Sequence, residues 1–297
     1  MRALVLSLCV ALAADARAGI RVVDDAGAEV ALPAPARRIV SLAPHATELL
    51  FAAGAGDRIV GVVKGSNHPA EARALPVIGD VHAIDVERIV AQKPDLVVTW
   101  PYTTPAQVAK LAARGVAVFT TDPATIDGIA VDIERLGALA GTAPAAAVAA
   151  RRFRDTVAGA VDGAAGRAKV RVFYQIWGEP TYTVGGRHLI SQAIAACGGE
   201  NVFAGLALPA PQVATEAVIA ARPDAIVAGA DGAARPAWLD AWARWNGIPA
   251  VRDRQLHVVD ADRLHRPGPR FAEGVAELCA AIARTRAVVQ ARIDAVR

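Results

Sequence analysis

The stretch Glu87–Val98, ERIVAQKPDLVV, is written again at Glu216–Val227 as EAVIAARPDAIV, 129 residues further along a chain of 297. Five of the twelve positions are identical, and four more exchange Ile for Val or Lys for Arg. Each copy reads as a short helix opening at glutamate, a proline that stops it, and a β-branched run that continues as a strand. One such phrase in each half of the chain predicts two similar α/β lobes.

The rest of the pattern agrees. In residues 19–124 short apolar runs (RRIVSLAP, RIVGVV, PVIGD, DLVVTW, VAVFTT) alternate with helical stretches (HATELLFAAGAG, VERIVAQK after Asp85, TPAQVAKLAARG). Strands separated by helices imply a parallel sheet. Residues 125–168 carry little strand signal. TIDGIAVDIERLGALAG is helical, Gly141 to Pro144 marks a break, and AAAVAARRFRDTVAGAVDGAAG is alanine-rich and helix-prone. Its 22 residues span roughly 33 Å as a helix, long enough to link two lobes. From 169 to 297 the α/β pattern restarts with KVRVFYQI, RHLISQAIAACGG, TEAVIAARPDAIVAG, PAWLDAWARWNG read as one helix, QLHVVDAD, and a closing helix from Gly268. The expected fold class is α/β, with two Rossmann-like lobes of parallel strands.

The first eighteen residues read as a cleavable signal peptide: Arg2, an apolar stretch from Ala3 to Ala14, and Ala16-Arg17-Ala18 as the cleavage site. The apolar stretch is too short to span a bilayer. Export makes the remaining cysteines, Cys197 and Cys279, a candidate disulfide; two separate buried thiols are the alternative. The net charge is only +3, and the basic residues are scattered. That argues against a nucleic-acid partner.

In parallel sheets, ligands gather at the carboxyl ends of the strands. The loops there hold His45, His68, His82, Trp100, Tyr102, Trp177, Tyr182 and His265, in a chain where Phe, Trp and Tyr make up only 5% of residues. Aromatic loops facing one another grip a large planar or apolar ligand. Trp238, Trp242 and Trp245 lie at helical spacing and are expected as a packed helix face. Enzyme signatures are absent: no HExxH, no GxSxG and no P-loop, so no catalytic residue is assigned. His45, His68 and His82 sit on neighbouring loops, but no pair has the i,i+4 or H-x-H spacing of a zinc site, and no metal is expected.

At RRIVSLAPHATELLFAAGAGDRIVGV, ERIVAQKPDLVVTW, VFYQIW and CGGENVF, the chain resembles the periplasmic cobalamin-binding proteins of ABC importers. These belong to a class of helical-backbone metal receptors that also carry haem and ferric siderophores. The resemblance covers nearly all of the chain after the signal. It implies two lobes joined by one long backbone helix, with the ligand cleft between them and little lobe motion. It also implies a monomer in the periplasm whose Glu87 and Glu216 dock, one per lobe, onto arginines of a permease dimer. It pairs Cys197 with Cys279.

Cobalamin or a related corrinoid is therefore the expected small-molecule ligand, held by His45, His68, His82, Trp100, Tyr102, Trp177, Tyr182 and Arg266, with no bound cofactor. Trp100 matches a cleft tryptophan of the family. Gly65, Val81 and Ala210 stand where family aromatics are expected, and His68 and His82 replace other polar groups. Two alternatives follow. A haem carrier would use His68, His82 or Tyr102 as axial ligand. A ferric-siderophore carrier would line its cleft with Arg187, Arg263 and Arg266. An exported metal-dependent hydrolase is the remote third alternative, and no motif supports it.

Overall fold

A computed structural model describes residues 19–81, 83–230 and 234–295. The signal peptide expected over residues 1–18 lies outside them, as does His82.

The described chain opens with an antiparallel hairpin, β1 (Ile20–Val23) and β2 (Glu29–Leu32). The periodicity reading passes over it because each strand has only four residues. Asp24 closes the turn, its side chain accepting the Ala28 N–H at 2.8 Å, while Gly27 supplies a positive φ of 79°.

The first lobe follows as β3 (Ile39–Ser41), α1 (Pro44–Ala52), β4 (Ile59–Val63), β5 (Val77–Gly79), α2 (Val86–Ala91), β6 (Leu96–Thr99), α3 (Pro105–Ala112) and β7 (Ala117–Thr120). Its sheet has the order β5-β4-β3-β6-β7 and every pair in it is parallel. β3 and β6 are buried along their whole length, which is why they read as unbroken apolar runs.

The linking region is a helical pair. α4 (Ile126–Ala140) begins at the Thr125 cap, and Gly141 ends it in the left-handed region at φ 67°. α5 (Ala143–Val161) then runs back along α4. A Cβ on Gly137 would lie 2.2 Å from Ala146 Cβ, so glycine is what lets the two backbones approach. Arg154 of α5 holds Asp127 and Glu134 of α4, each at 2.6 Å. α5 is the linking helix: Ala145 touches Gly54 of the first lobe, and Ala164 beyond its end touches Gly198 of the second. It ends sooner than its composition suggests because Gly163 and Gly166 turn the chain at φ 70° and 72°.

The second lobe comprises β8 (Val170–Gln175), α6 (Leu189–Ala196), β9 (Gly199–Asn201), α7 (Thr215–Ala221), β10 (Ala225–Ala230), α8 (Ala237–Asp240), α9 (Pro249–Arg252), β11 (Leu256–Asp260), α10 (Ala261–Leu264) and α11 (Phe271–Asp294). Its sheet has the order β11-β10-β8-β9, again parallel. The single helix expected at PAWLDAWARWNG is instead α8 followed by a 3-10 turn, Ala241–Arg244. The three tryptophans accordingly do not share one packed face. Trp242 is buried and donates to Gln175 Oε1 at 2.8 Å, while all three indoles line a cavity of about 220 Å³ and Trp245 is well exposed. Anchoring Trp242 to β8 pulls this segment out of regular helical register.

The repeat is reproduced in three dimensions. Before β6, Asp95 accepts the N–H groups of Arg37 and Arg38, and the Arg38 guanidinium returns to the carbonyls of Gln92 and Lys93 at the end of α2. Before β10, Asp224 accepts the Arg171 N–H, and the Arg171 guanidinium returns to the Ala221 carbonyl at the end of α7. Lys93 and Arg222, each just before the proline, share a left-handed φ of 50° and 45°.

One apolar core runs through both lobes, from Ile39, Leu49 and Leu96 across Ile133 and Ala146 to Val172, Phe271 and Leu278. Each lobe has a private core on its other face. The expected disulfide is present, joining Cys197 at the end of α6 to Cys279 in α11. Among the described residues no helix is long and apolar enough to cross a membrane.

Candidate functional site

Both sheets reverse strand order beside their first strand, between β3 and β6 in one lobe and between β8 and β10 in the other. The carboxyl ends of the strands at such a reversal open a crevice. The two ends are brought together where α1, directly after β3, meets the segment leading into α11: Arg270 donates to Glu48 at 2.9 and 2.7 Å.

On the first lobe, His45 follows β3 and Trp100 follows β6. Their rings meet edge to face at 5.2 Å, and Tyr102 lies over Trp100 at 4.4 Å. Tyr102 is 62% exposed and stands at the rim, whereas His45 is buried beneath it. Burial, aided by the Arg266 charge, pushes the His45 pKa down to about 3, so its ring is neutral at physiological pH. Neither His45 Nε2 nor Trp100 Nε1 has a hydrogen-bond partner, so the floor of this crevice holds two unsatisfied polar atoms.

On the second lobe the loop after β8 forms an irregular ladder. Trp177 bridges Tyr182, and Tyr182 bridges Gln212. The Thr183 and Gly185 N–H groups donate to the Pro211 and Pro209 carbonyls at 3.0 and 2.9 Å. A Cβ on Gly185 would come within 2.1 Å of the Leu208 carbonyl, so only glycine admits this approach. The ladder presents Trp177, 63% exposed, on one edge and carries exposed Leu206 and Leu208 just beyond the other. Sequence reading missed both leucines. Their exposure follows from the ladder, and LALPAP alone looks like an ordinary proline-rich loop.

Four other residues singled out in the sequence have partners or positions of their own. Arg266 pairs with Glu48 at 3.3 Å and Asp262 at 2.7 Å and donates to Asn67. Arg263 is likewise engaged, by Asp260, Glu273 and Glu277. His68 is exposed and lines a cavity of about 380 Å³ on the flank of α1, with Phe51, Glu71 and Pro269. His265 bonds the buried Tyr174 hydroxyl at 3.1 Å. Among the described residues no cluster of His, Cys, Asp or Glu could hold a metal ion.

Glu87 and Glu216 lie at the same place in their lobes, the second position of α2 and of α7, and both are exposed. Glu87 pairs with Arg114 at 2.5 Å on the surface, and Glu216 has no ion-pair partner among the described residues.

Comparison with known proteins accords with this architecture. A vitamin B12-binding protein of Vibrio parahaemolyticus is 38% identical over 249 residues, covering 82% of this chain and 89% of that protein. The periplasmic vitamin B12 binding protein BtuF of Vibrio cholerae superposes with a TM-score of 0.77 at 33% identity, over 85% of this chain and 98% of its own. The periplasmic heme-binding protein RhuT from Roseiflexus, in apo form, superposes with a TM-score of 0.74 at 26% identity, over 84% and 99%. The family model described as periplasmic binding protein matches residues 39–263, so the chain belongs to the periplasmic binding protein family.

Proposed function

We infer that the protein captures cobalamin or a related corrinoid in the cleft between its lobes and delivers it to an ABC-transporter permease. The observation that carries this is the chemistry of the rim. Its exposed groups are the rings of Tyr102 and Trp177 and the side chains of Leu206 and Leu208. Two of the three arginines that an anionic siderophore would need are already neutralised by carboxylates. Broad apolar faces with little free charge suit a large, rigid, amide-decorated ring better than a polyanion. The similarity to vitamin B12-binding proteins points the same way. The family aromatics missing at Gly65, Val81 and Ala210 mean that fewer rings grip the ligand, and Leu206 and Leu208 supply part of the lost apolar area.

Delivery rests on Glu87 and Glu216. The fold accounts for the repeated proline and aspartate, which clamp each helix to its strand. It gives the repeated glutamates only a favourable position at a helix N-terminus. Two exposed carboxylates at equivalent sites fit a transporter with two similar halves, each offering a guanidinium for a bidentate pair. Uptake of labelled cobalamin into vesicles holding the partner transporter tests this. Glu87→Ala together with Glu216→Ala should abolish stimulation while leaving cobalamin affinity unchanged. Undiminished uptake would remove the docking role.

A further inference from the structure

Glu48 sits on α1 of the first lobe with a side chain only 2% exposed, yet its partners all come from elsewhere in the chain. Arg270, at the start of α11 in the second lobe, donates from Nε to Oε2 at 2.9 Å and from Nη2 to Oε1 at 2.7 Å. Arg266 adds a contact from Nη1 at 3.3 Å and with the same nitrogen reaches Asn67, on the loop after β4, at 2.9 Å. Asp262 holds the other side of Arg266 at 2.7 Å. Two carboxylates thus balance two guanidiniums in a closed group. Gly268, between the two arginines, faces Glu48 and His45.

We propose that Glu48 is a positioning residue that clasps the two lobes and so sets the width of the ligand cleft. Its consequence for ligand retention rests on the cobalamin reading above; the clasp itself does not. The shared core and the α4–α5 pair join the lobes along one side. The clasp joins them again at the carboxyl ends of the strands, where the cleft opens. A buried pair in bidentate geometry resists separation, because parting the lobes would leave charges uncompensated in a poorly solvated seam. Salt screens such a pair much less than a surface one. The clasp also keeps both arginines out of the cleft and so holds its electrostatic character close to neutral.

The test compares wild type with Glu48→Gln, which keeps shape and removes charge, and Glu48→Asp, which keeps charge. Amide hydrogen exchange at residues 44–50 and 265–271, measured without ligand, reports the seam directly. Stopped-flow dissociation of cobalamin reports the cleft. Glu48→Gln should raise exchange at both segments and speed dissociation by roughly tenfold or more, with partial rescue in Glu48→Asp. If Glu48→Gln does not fold, Arg266→Gln, which removes a single arm, should show the same changes at smaller amplitude. Unchanged exchange and dissociation would overturn the proposal. So would a lower melting temperature with unaltered dissociation, which marks a merely stabilising role. Failure of wild type to bind cobalamin would strike the functional reading alone, since the exchange comparison still decides the clasp.

Discussion

Asp132 is wholly buried in α4, where it accepts from Thr121 Oγ1 at 2.7 Å and Arg135 at 3.2 Å. Burial foremost, with the Asp25 charge beside it, pushes its pKa up to about 8 against the pull of the Thr121 hydrogen bond. The folded state therefore keeps a proton that the unfolded chain releases near its ordinary value of 3.8. Stability from this group is full below that value and is lost as pH rises through about 8. The histidines act in the opposite sense. Burial lowers His45 to about 3 and His188 and His257 to about 4, so they weaken the fold as pH falls below 6.5. The melting temperature should therefore decline from pH 6.5 to pH 8 in wild type and stay flatter in Asp132→Asn, as read by calorimetry across that range. An equal decline in both would refute the assignment. At the cleft, Trp177→Ala should weaken cobalamin binding by roughly tenfold without moving the melting temperature, because the ring is at the rim and outside the core. Its exposure was only half legible in the sequence, where a tryptophan at a strand end reads equally well as core.

At the level of elements, the repeated phrase divides into residues that build and residues left over. Asp95→Ala and Asp224→Ala each remove a clamp between strand and helix, and each should cost about 1–2 kcal/mol in denaturant unfolding. Glu87→Ala and Glu216→Ala should cost almost nothing by the same measurement. Gly137→Ala should destabilise by about 1–3 kcal/mol, since its methyl would overlap Ala146 where α4 and α5 touch. The proline and aspartate were visible as a repeat. Their arginine partners were not, because strand register brings Arg38 and Arg171 to them from 57 and 53 residues away. The helix over PAWLDAWARWNG was misjudged for a related reason. Its pattern is helical, but the bond from Trp242 to Gln175 on β8 overrides local preference.

Across the whole molecule, the alternation of strands and helices made two parallel lobes legible, and two cysteines in a chain that reads as exported made the disulfide legible. The continuity of the core was not, because apolar periodicity shows which face of a helix is buried and not which lobe it is buried against. The clasp was invisible for the same reason: Glu48 and Arg270 are 222 residues apart. A shared core, a linking helix and a clasp together predict a stiff molecule. Small-angle scattering should show a nearly constant radius of gyration with and without ligand, where a hinge of crossing strands would show marked closure. The central claim is the ligand, and calorimetric and absorbance titration of the purified protein with cobalamin, then with haemin, tests it most directly. Saturable one-to-one binding of cobalamin, with no saturable binding of haemin, is the predicted result. Absence of cobalamin binding, together with a shifted haem Soret band that a histidine variant abolishes, would contradict it.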